Sequence, residues 1–319
     1  MKRTVLITGA GGPAAVCLIK SLKRRYRVVA TDINSLAPGL YLADHGFVIP
    51  RPNAPGFVAE LLRVARREKA SIILPTLDEE LIVLARNREK FERSGITLLL
   101  ASEDPIRVAT NKRLTYEFFR DQPFCPRIFD TTTVEFPAVV KPVNSRGGRG
   151  FYVCENSQEL QVALGRNRRA FGESVIMEYL IGSEYSVYGI SGRDGKPIVT
   201  VPVRRILAVS ESKRAQVEVV RSVQRVAGEI ASRLKLTGPW NIQLMKSKKR
   251  ITLIEVNARF AGTVSLVIAA GVNLPDLAMK VFLDRKISKE ELKFCNHLVM
   301  TRYNEEIYLQ PKQLIPKDR

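Results

Sequence analysis

Histidine is nearly missing from this chain, with two in 319 residues, and the four cysteines, Cys17, Cys125, Cys154 and Cys295, stand far apart. Such spacing builds neither a disulfide framework nor a zinc site, so the cysteines read as reduced packing thiols. Long apolar runs are missing too. None reaches the roughly 18 residues that span a bilayer, and the N-terminus enters a strand with no signal-peptide pattern. The expectation is a soluble cytoplasmic protein with no membrane partner. Internal repeats are absent. So is any balance of charge: Lys and Arg number 51 against 32 Asp and Glu, a net +19. Residues 191–319 carry 24 of the basic and 12 of the acidic side chains. That excess suits an anionic ligand, an acidic carrier protein or nucleic acid, or simply a solvated surface. Basic residues are not interleaved with base-stacking aromatics, so the nucleic-acid reading rests on charge alone.

What is present is enough apolar sequence, 45% hydrophobic, for packed cores in about two domains. Thr4–Thr8 reads as a buried strand, followed by the turn Gly9-Ala-Gly11-Gly-Pro-Ala14, a helix through Leu22, and a strand Arg27–Thr31 that ends in Asp32. This opens a parallel α/β sheet whose glycine turn can present N–H groups to an anion. It also nearly fits a dinucleotide fingerprint, which makes a nicotinamide-dependent oxidoreductase one alternative, although no hydride-transfer site follows. Further on come a helix Phe57–Lys69, a strand Ser71–Pro75, a helix Leu81–Phe91 and a strand Ile96–Ala101. Asp78 and Glu79 lie at a strand end but are best explained as N-cap and first-turn charges. The register changes near Thr110, which places a domain boundary there.

Beyond it, Phe136–Pro142 is a strand ending in Lys141, followed by the loop Asn144-Ser145-Arg146-Gly147-Gly148-Arg149-Gly150. Three glycines let the backbone amides of such a hairpin approach phosphates closely. The loop lacks Gly-Lys-Ser/Thr and is no Walker P-loop. Antiparallel strands follow to Val203. Arg204 and Arg205 then form a paired guanidinium site for bidentate contacts with a carboxylate or phosphate. Glu211–Leu234 has the apolar spacing of one long amphipathic helix, with Arg214, Arg221 and Arg225 on another face. Trp240–Met245 and Thr252–Asn257 form a hairpin. Period-two alternation places Leu253, Glu255 and Asn257 on one face and Ile254 and Val256 on the other, with Gln243 nearly opposite Glu255. One acid and two amides there make an oxygen donor set for a hard cation such as Mg2+. A last strand spans His297–Tyr303, and the tail beyond Gln310 is expected to be disordered.

The order of Asn111-Lys112, Phe136–Pro142, the glycine loop, Met177-Glu178-Tyr179-Leu180, Gly182-Ser-Glu184, Trp240–Gln243 and Leu253–Arg259 resembles the ATP-grasp superfamily. Within it, the chain is similar to stand-alone relatives of one half of the carbamoyl phosphate synthetase large subunit. The resemblance implies an α/β Rossmann-like pre-ATP-grasp domain at 1–110 and an ATP-grasp module of two α+β subdomains at 111–310. The lid would span about 125–180 and the large subdomain 181–310, with 311–319 a flexible tail. It further implies ATP and Mg2+ (or Mn2+) as cofactors. Lys112 and Lys141 would contact phosphates, and Ser145, Gly147, Gly148 and Gly150 would close over them. Glu178, Tyr179 and Leu180 would meet the adenine, Glu184 the ribose, and Gln243, Glu255 and Asn257 the metal. Arg259 would stabilise the transferring phosphoryl group. Apart from the resemblance, the basic excess of residues 191–319 gives Arg204 and Arg205 the expected role of clamping an anionic substrate. Only one certain carboxylate stands where the family's acidic metal pair lies. The implied reaction joins a small-molecule carboxylate to an amine or other nucleophile through an acyl phosphate, in a monomer or a homodimer.

Overall fold

The computed structural model describes residues 2–145, 147–209 and 211–316. Arg146 of the glycine loop and tail residues 317–319 therefore lie outside the described residues. The first layer is a parallel sheet in the order β3-β2-β1-β4-β5. Its elements are β1 (Thr4–Ile7), α1 (Pro13–Leu22), β2 (Arg27–Asp32), α2 (Pro38–Leu42), β3 (His45–Val48), α3 (Phe57–Arg67), β4 (Ala70–Leu74), α4 (Asp78–Arg86), α5 (Arg88–Glu92) and β5 (Thr97–Leu98). The central strand is apolar throughout because both its faces are covered: Val5 and Ile7 enter one core and Leu6 the other. Gly9 has φ 62°, and a Cβ there would lie 2.7 Å from the side chains of Leu77 and Thr76. Asp32 does not reach outward. Its carboxylate accepts the Gly11 and Asn34 N–H groups at 2.7 and 2.9 Å and so closes the glycine turn.

Helices α6 (Glu103–Thr110) and α7 (Lys112–Phe118) lead into a small sheet of order β6-β9-β7-β8. It comprises β6 (Ile128–Phe129), β7 (Ala138–Pro142), β8 (Tyr152–Cys154), α8 (Ser157–Phe171) and β9 (Ser174–Glu178). Val139, Val175 and Met177 face the main core, whereas Ala138, Val140 and Ile176 pack beneath α8.

The third sheet, β14-β13-β10-β11-β12-β15, is antiparallel. It contains β10 (Ser183–Ser191), β11 (Pro197–Val209), β12 (Glu211–Val217), α9 (Arg221–Arg233), β13 (Gly238–Lys246), β14 (Ile251–Asn257), α10 (Val264–Ala269), α11 (Leu274–Phe282) and β15 (Val299–Thr301). The expected long helix from Glu211 is thus wrong in its first third. Residues 211–217 form a strand carrying Arg214, and the helix begins only at Arg221. An apolar count fits either period over so short a run, but the open edge of β11 supplies ladder partners, Arg204 to Gln216 and Val203 to Val217. The tail also departs from expectation: Pro311–Gln313 is a helical turn, and Ile315 packs against the Leu40–Gly46 segment while its N–H reaches the Tyr41 hydroxyl at 3.4 Å.

Trp240 is buried flat over Gly189, and its Nε1 donates to Ser191 Oγ at 2.8 Å. A methyl group on Gly189 would overlap the indole. Gly189→Ala should therefore cost about 1–3 kcal/mol of stability. Gly165→Ala, in α8 with open space around its Cα, should gain about 0.4–1 kcal/mol. Equal denaturation midpoints for the two variants would contradict this packing.

Candidate functional site

The site is built on one irregularity. Gln243 pairs with Glu255, but the next pair is Leu244 with Leu253, so Ile254 is an extra residue in β14. The bulge reverses the alternation upstream of it. Leu253 joins Val256, Ile242 and Leu244 in the core, instead of sharing the face of Glu255 as simple period-two reasoning expects. Gln243, Glu255, Asn241 and Asn257 remain together on the open face, cross-strand neighbours in register. The bulge also turns the Ile254 carbonyl out of the ladder. It accepts the Tyr116 hydroxyl at 2.6 Å and the Lys141 ammonium at 3.0 Å.

Lys141 is 6% exposed and lies over the Tyr116 ring. Burial pushes its pKa down to about 7, helped by nearby Lys112 and opposed by Glu255 and Glu184. Lys112, equally buried, donates to the Ser145 carbonyl at 3.0 Å and stands 3.7 Å from Glu255. Asn111 caps this helix through the Leu114 N–H, which places Lys112 at the loop. These groups surround a cavity of about 340 Å3 whose walls include Ser145, Gly147, Gly148, Glu178, Tyr179, Leu180, Glu184, Gln243 and Glu255. Gly150 is not on that wall. It packs against α8, where a Cβ would lie 2.6 Å from Asn167 Oδ1, and its carbonyl accepts the Asn167 amide at 2.8 Å. The Glu178 carboxylate faces neither cavity freely, because the Arg127 N–H at 2.7 Å and the Arg250 guanidinium hold it.

A second cavity, about 450 Å3, adjoins the first at Arg149, Arg205, Gln243 and Glu255. It extends over Asn257 and Arg259 to Gly12 and Ala14 at the start of α1. The arginine pair is separated here. Neighbours on a strand point to opposite faces: Arg205 enters the site and pairs with Glu184, whereas Arg204 meets Glu218 at 2.7 Å and Gln216 on the other side. Asp78 also departs from its expected capping role. Leu77 holds the N-cap position of α4, Glu80 folds back to accept the Thr76 and Leu77 N–H groups, and Asp78 crosses to the Arg259 guanidinium as a bidentate partner. Burial pushes the Glu80 pKa up to about 7. Arg259 in turn donates to Asn257 Oδ1 at 3.1 Å.

Sequence reasoning missed Tyr116 and the Asp78 contact, which carry no local pattern, and gave Arg149 and Asn241 no role of their own although both lie in segments it singled out. The donor set itself fits a hard cation. Glu255 and Gln243 are cross-strand neighbours that both line the cavity, so one carboxylate and one amide are available there, leaving most of a six-oxygen shell to a ligand and water. Among the described residues no group of three or more His, Cys, Asp or Glu could hold a metal alone.

This fold and this floor of two lysines, an acid and amides point to the ATP-grasp class. Comparison with known families agrees: residues 5–99 match the PylC-like N-terminal domain, and residues 170–306 match the ATP-grasp in the biosynthetic pathway with Ter operon. Together with the relatives and structural neighbours that follow, these matches support an ATP-grasp ligase. A carbamoyl-phosphate synthase of Methanobrevibacter smithii is 26% identical, over 86% of this chain and 81% of its own length. A formate-dependent phosphoribosylglycinamide formyltransferase of a Synechococcus strain is 25% identical, over 86% and 74%. The biotin carboxylase domain of Hydrogenobacter thermophilus 2-oxoglutarate carboxylase, a dimer solved with MgADP, ADP and bicarbonate, shares the fold at TM-score 0.73 and 17% identity, covering 94% of this chain and 74% of that one.

Lys141 gives a signed prediction. Its folded pKa of about 7 lies below the ordinary lysine value near 10.4, so between these pH values the unfolded chain binds more protons and stability rises with pH. Lys141→Met should remove that dependence and raise the ligand-free melting temperature at pH 7. The same variant should lose about 1–3 kcal/mol of ATP affinity. Calorimetry showing undiminished ATP binding would reject the assignment.

Proposed function

We propose that the chain is an ATP-dependent ligase that phosphorylates a small carboxylate and passes its acyl group to an amine or other nucleophile, releasing ADP and phosphate. The observation that carries this reading is the meeting of two cavities over Glu255 and Gln243, one walled by the buried lysines and the glycine loop, the other by arginines and the start of α1. The nucleotide occupies the first. Lys112 and Lys141 neutralise its phosphate oxygens, Ser145, Gly147 and Gly148 cover them, Glu178, Tyr179 and Leu180 border the base, and Glu184 holds the ribose. The carboxylate occupies the second cavity, attracted by Arg205 and Arg259. Transfer of a phosphoryl group between the two asks mainly for alignment and positive charge, which this floor provides without a protein nucleophile. Glu255, Gln243 and Asn257 would hold magnesium, which would add charge stabilisation at the phosphate oxygens. The two domains meet at Asp78 and Arg259, so closure of the carboxylate cavity depends on both. The relatives named above act on small molecules according to their names, which accords with cavities of this size. No helix among the described residues is long and apolar enough to cross a membrane.

The test is ADP release on a panel of carboxylic and amino acids with Mg2+ and ATP. Once a substrate is found, Glu255→Gln should abolish Mg2+-dependent turnover while leaving the thermal transition unchanged. Full turnover in that variant would refute the metal assignment. Arg205→Lys keeps the charge but loses the planar fork. It should raise the substrate KM or lower kcat by about tenfold, whereas Lys248→Ser and Lys249→Ser, exposed at the β13–β14 turn, should change neither. Identical kinetics in all three would show that Arg205 is only surface charge.

A further inference from the structure

The turn after β1 and the acid that ends β2 read as a dinucleotide fingerprint, yet neither Gly9 nor Asp32 lines the two cavities over Glu255. Both instead line a separate crevice of about 290 Å3. The sheet order β3-β2-β1-β4-β5 reverses direction between β1 and β4. The crevice sits at that reversal: Gly9 follows β1, and Leu77, Glu79 and Glu80 follow β4. Open parallel sheets hold ligands at such a point, outside the carboxyl ends of their strands. The volume is close to the roughly 300 Å3 at which small-ligand sites begin.

The walls restrict what can bind. Glu80 is 1% exposed, and the Thr8 hydroxyl at 2.5 Å and the Thr76 and Leu77 N–H groups at 2.8 and 2.9 Å all donate to its Oε1. Oε2 receives no donor among the described residues and is left to the crevice that Glu80 lines. A buried carboxylate oxygen without a partner asks for a hydrogen-bond donor. Around it Ile33, Ile49, Pro50, Pro52, Phe57 and Leu77 make the apolar surface that a flat ring covers well. Phosphate finds no seat here. The Gly11 N–H is already bound to Asp32, Gly12 and Pro13 at the start of α1 line the carboxylate cavity instead, and Arg51 is the one lysine or arginine among the described residues of this wall.

We propose that this crevice binds an uncharged planar heterocycle bearing an N–H donor, a nucleobase either free or as its nucleoside, with the ring against the apolar walls and the N–H on Glu80 Oε2. The site is separate from the lysine-walled cavity and does not depend on the ligase reading. Leu77 lines both this crevice and the carboxylate cavity, so the ligand lies one side chain away from that cavity.

The test is calorimetry on the full chain with the common nucleobases, their nucleosides and the nucleoside monophosphates, in saturating Mg2+ and ADP to fill the lysine-walled cavity. It is run at pH 8, where Glu80, whose pKa burial raises to about 7, is ionised and accepts. At least one base or nucleoside should bind one to one, and its monophosphate about tenfold or more weakly. Glu80→Gln keeps an oxygen for Thr8, Thr76 and Leu77 but turns an amide N–H toward the crevice, and should weaken binding by about tenfold or more. Ile33→Trp, at a rim position 43% exposed, should block the crevice without disturbing the core, whereas Ala261→Trp in the carboxylate cavity should leave the affinity unchanged. Equal affinity for a base and its nucleoside would identify the base as the whole ligand, and tighter binding of the nucleoside would add the ribose; both support the site. No binding by any member of the panel, a monophosphate that binds as well as its nucleoside, or binding that survives both Glu80→Gln and Ile33→Trp would overturn it.

Discussion

The carbonyl of Ile254 is the point on which the lysine-walled cavity depends. A bulge in β14 frees it from the ladder, and Tyr116 and Lys141 converge on it from two other elements. A buried ammonium without an acceptor would be expelled or neutralised, because burial penalises charge more than packing rewards the aliphatic stem. One displaced peptide group therefore keeps a lysine inside the protein, close to Lys112 and the glycine loop. The same bulge decides which side chains of β14 belong to the core and which to the site.

The Asp78–Arg259 pair performs the corresponding task between the parallel sheet and the large antiparallel one. It ties the first turn of α4, part of the parallel layer, to the residue just beyond β14. Half-buried bidentate pairs of this kind contribute geometry more than net stability, since desolvation offsets much of the Coulomb gain. Here that geometry aligns Arg259 with Asn257. A surface pair such as Arg93 with Glu89 has no such consequence.

How much was legible depended on the range of the forces involved. Period-two patterns and turn residues gave the β13–β14 hairpin and the opposition of Gln243 to Glu255, because both are properties of neighbouring residues. The parallel first layer was legible for the same reason: Val5, Leu6 and Ile7 form an unbroken apolar run, and Gly9 and Gly11 mark the turn after it. The strand at 211–217 was not, since its apolar spacing suits a helix as well and only the free edge of β11 chose between them. The division of Arg204 from Arg205 follows from the same pairing, once the segment is known to be a strand there.

By itself the sequence determined most of the element order outside the 211–217 strand, the two lysines, the glycine loop and the one acid with its amides, because each of these is a local matter of side-chain chemistry and spacing. Only the tertiary structure decided that Ile254 bulges, that the Asp78 side chain crosses from the first turn of α4 to Arg259, that Gly150 faces Asn167 rather than the cavity, and that two cavities share Glu255. Those facts arise where segments tens to nearly two hundred residues apart meet. The partner that satisfies a carbonyl, a carboxylate or a strand edge is set by packing, and no local pattern records it.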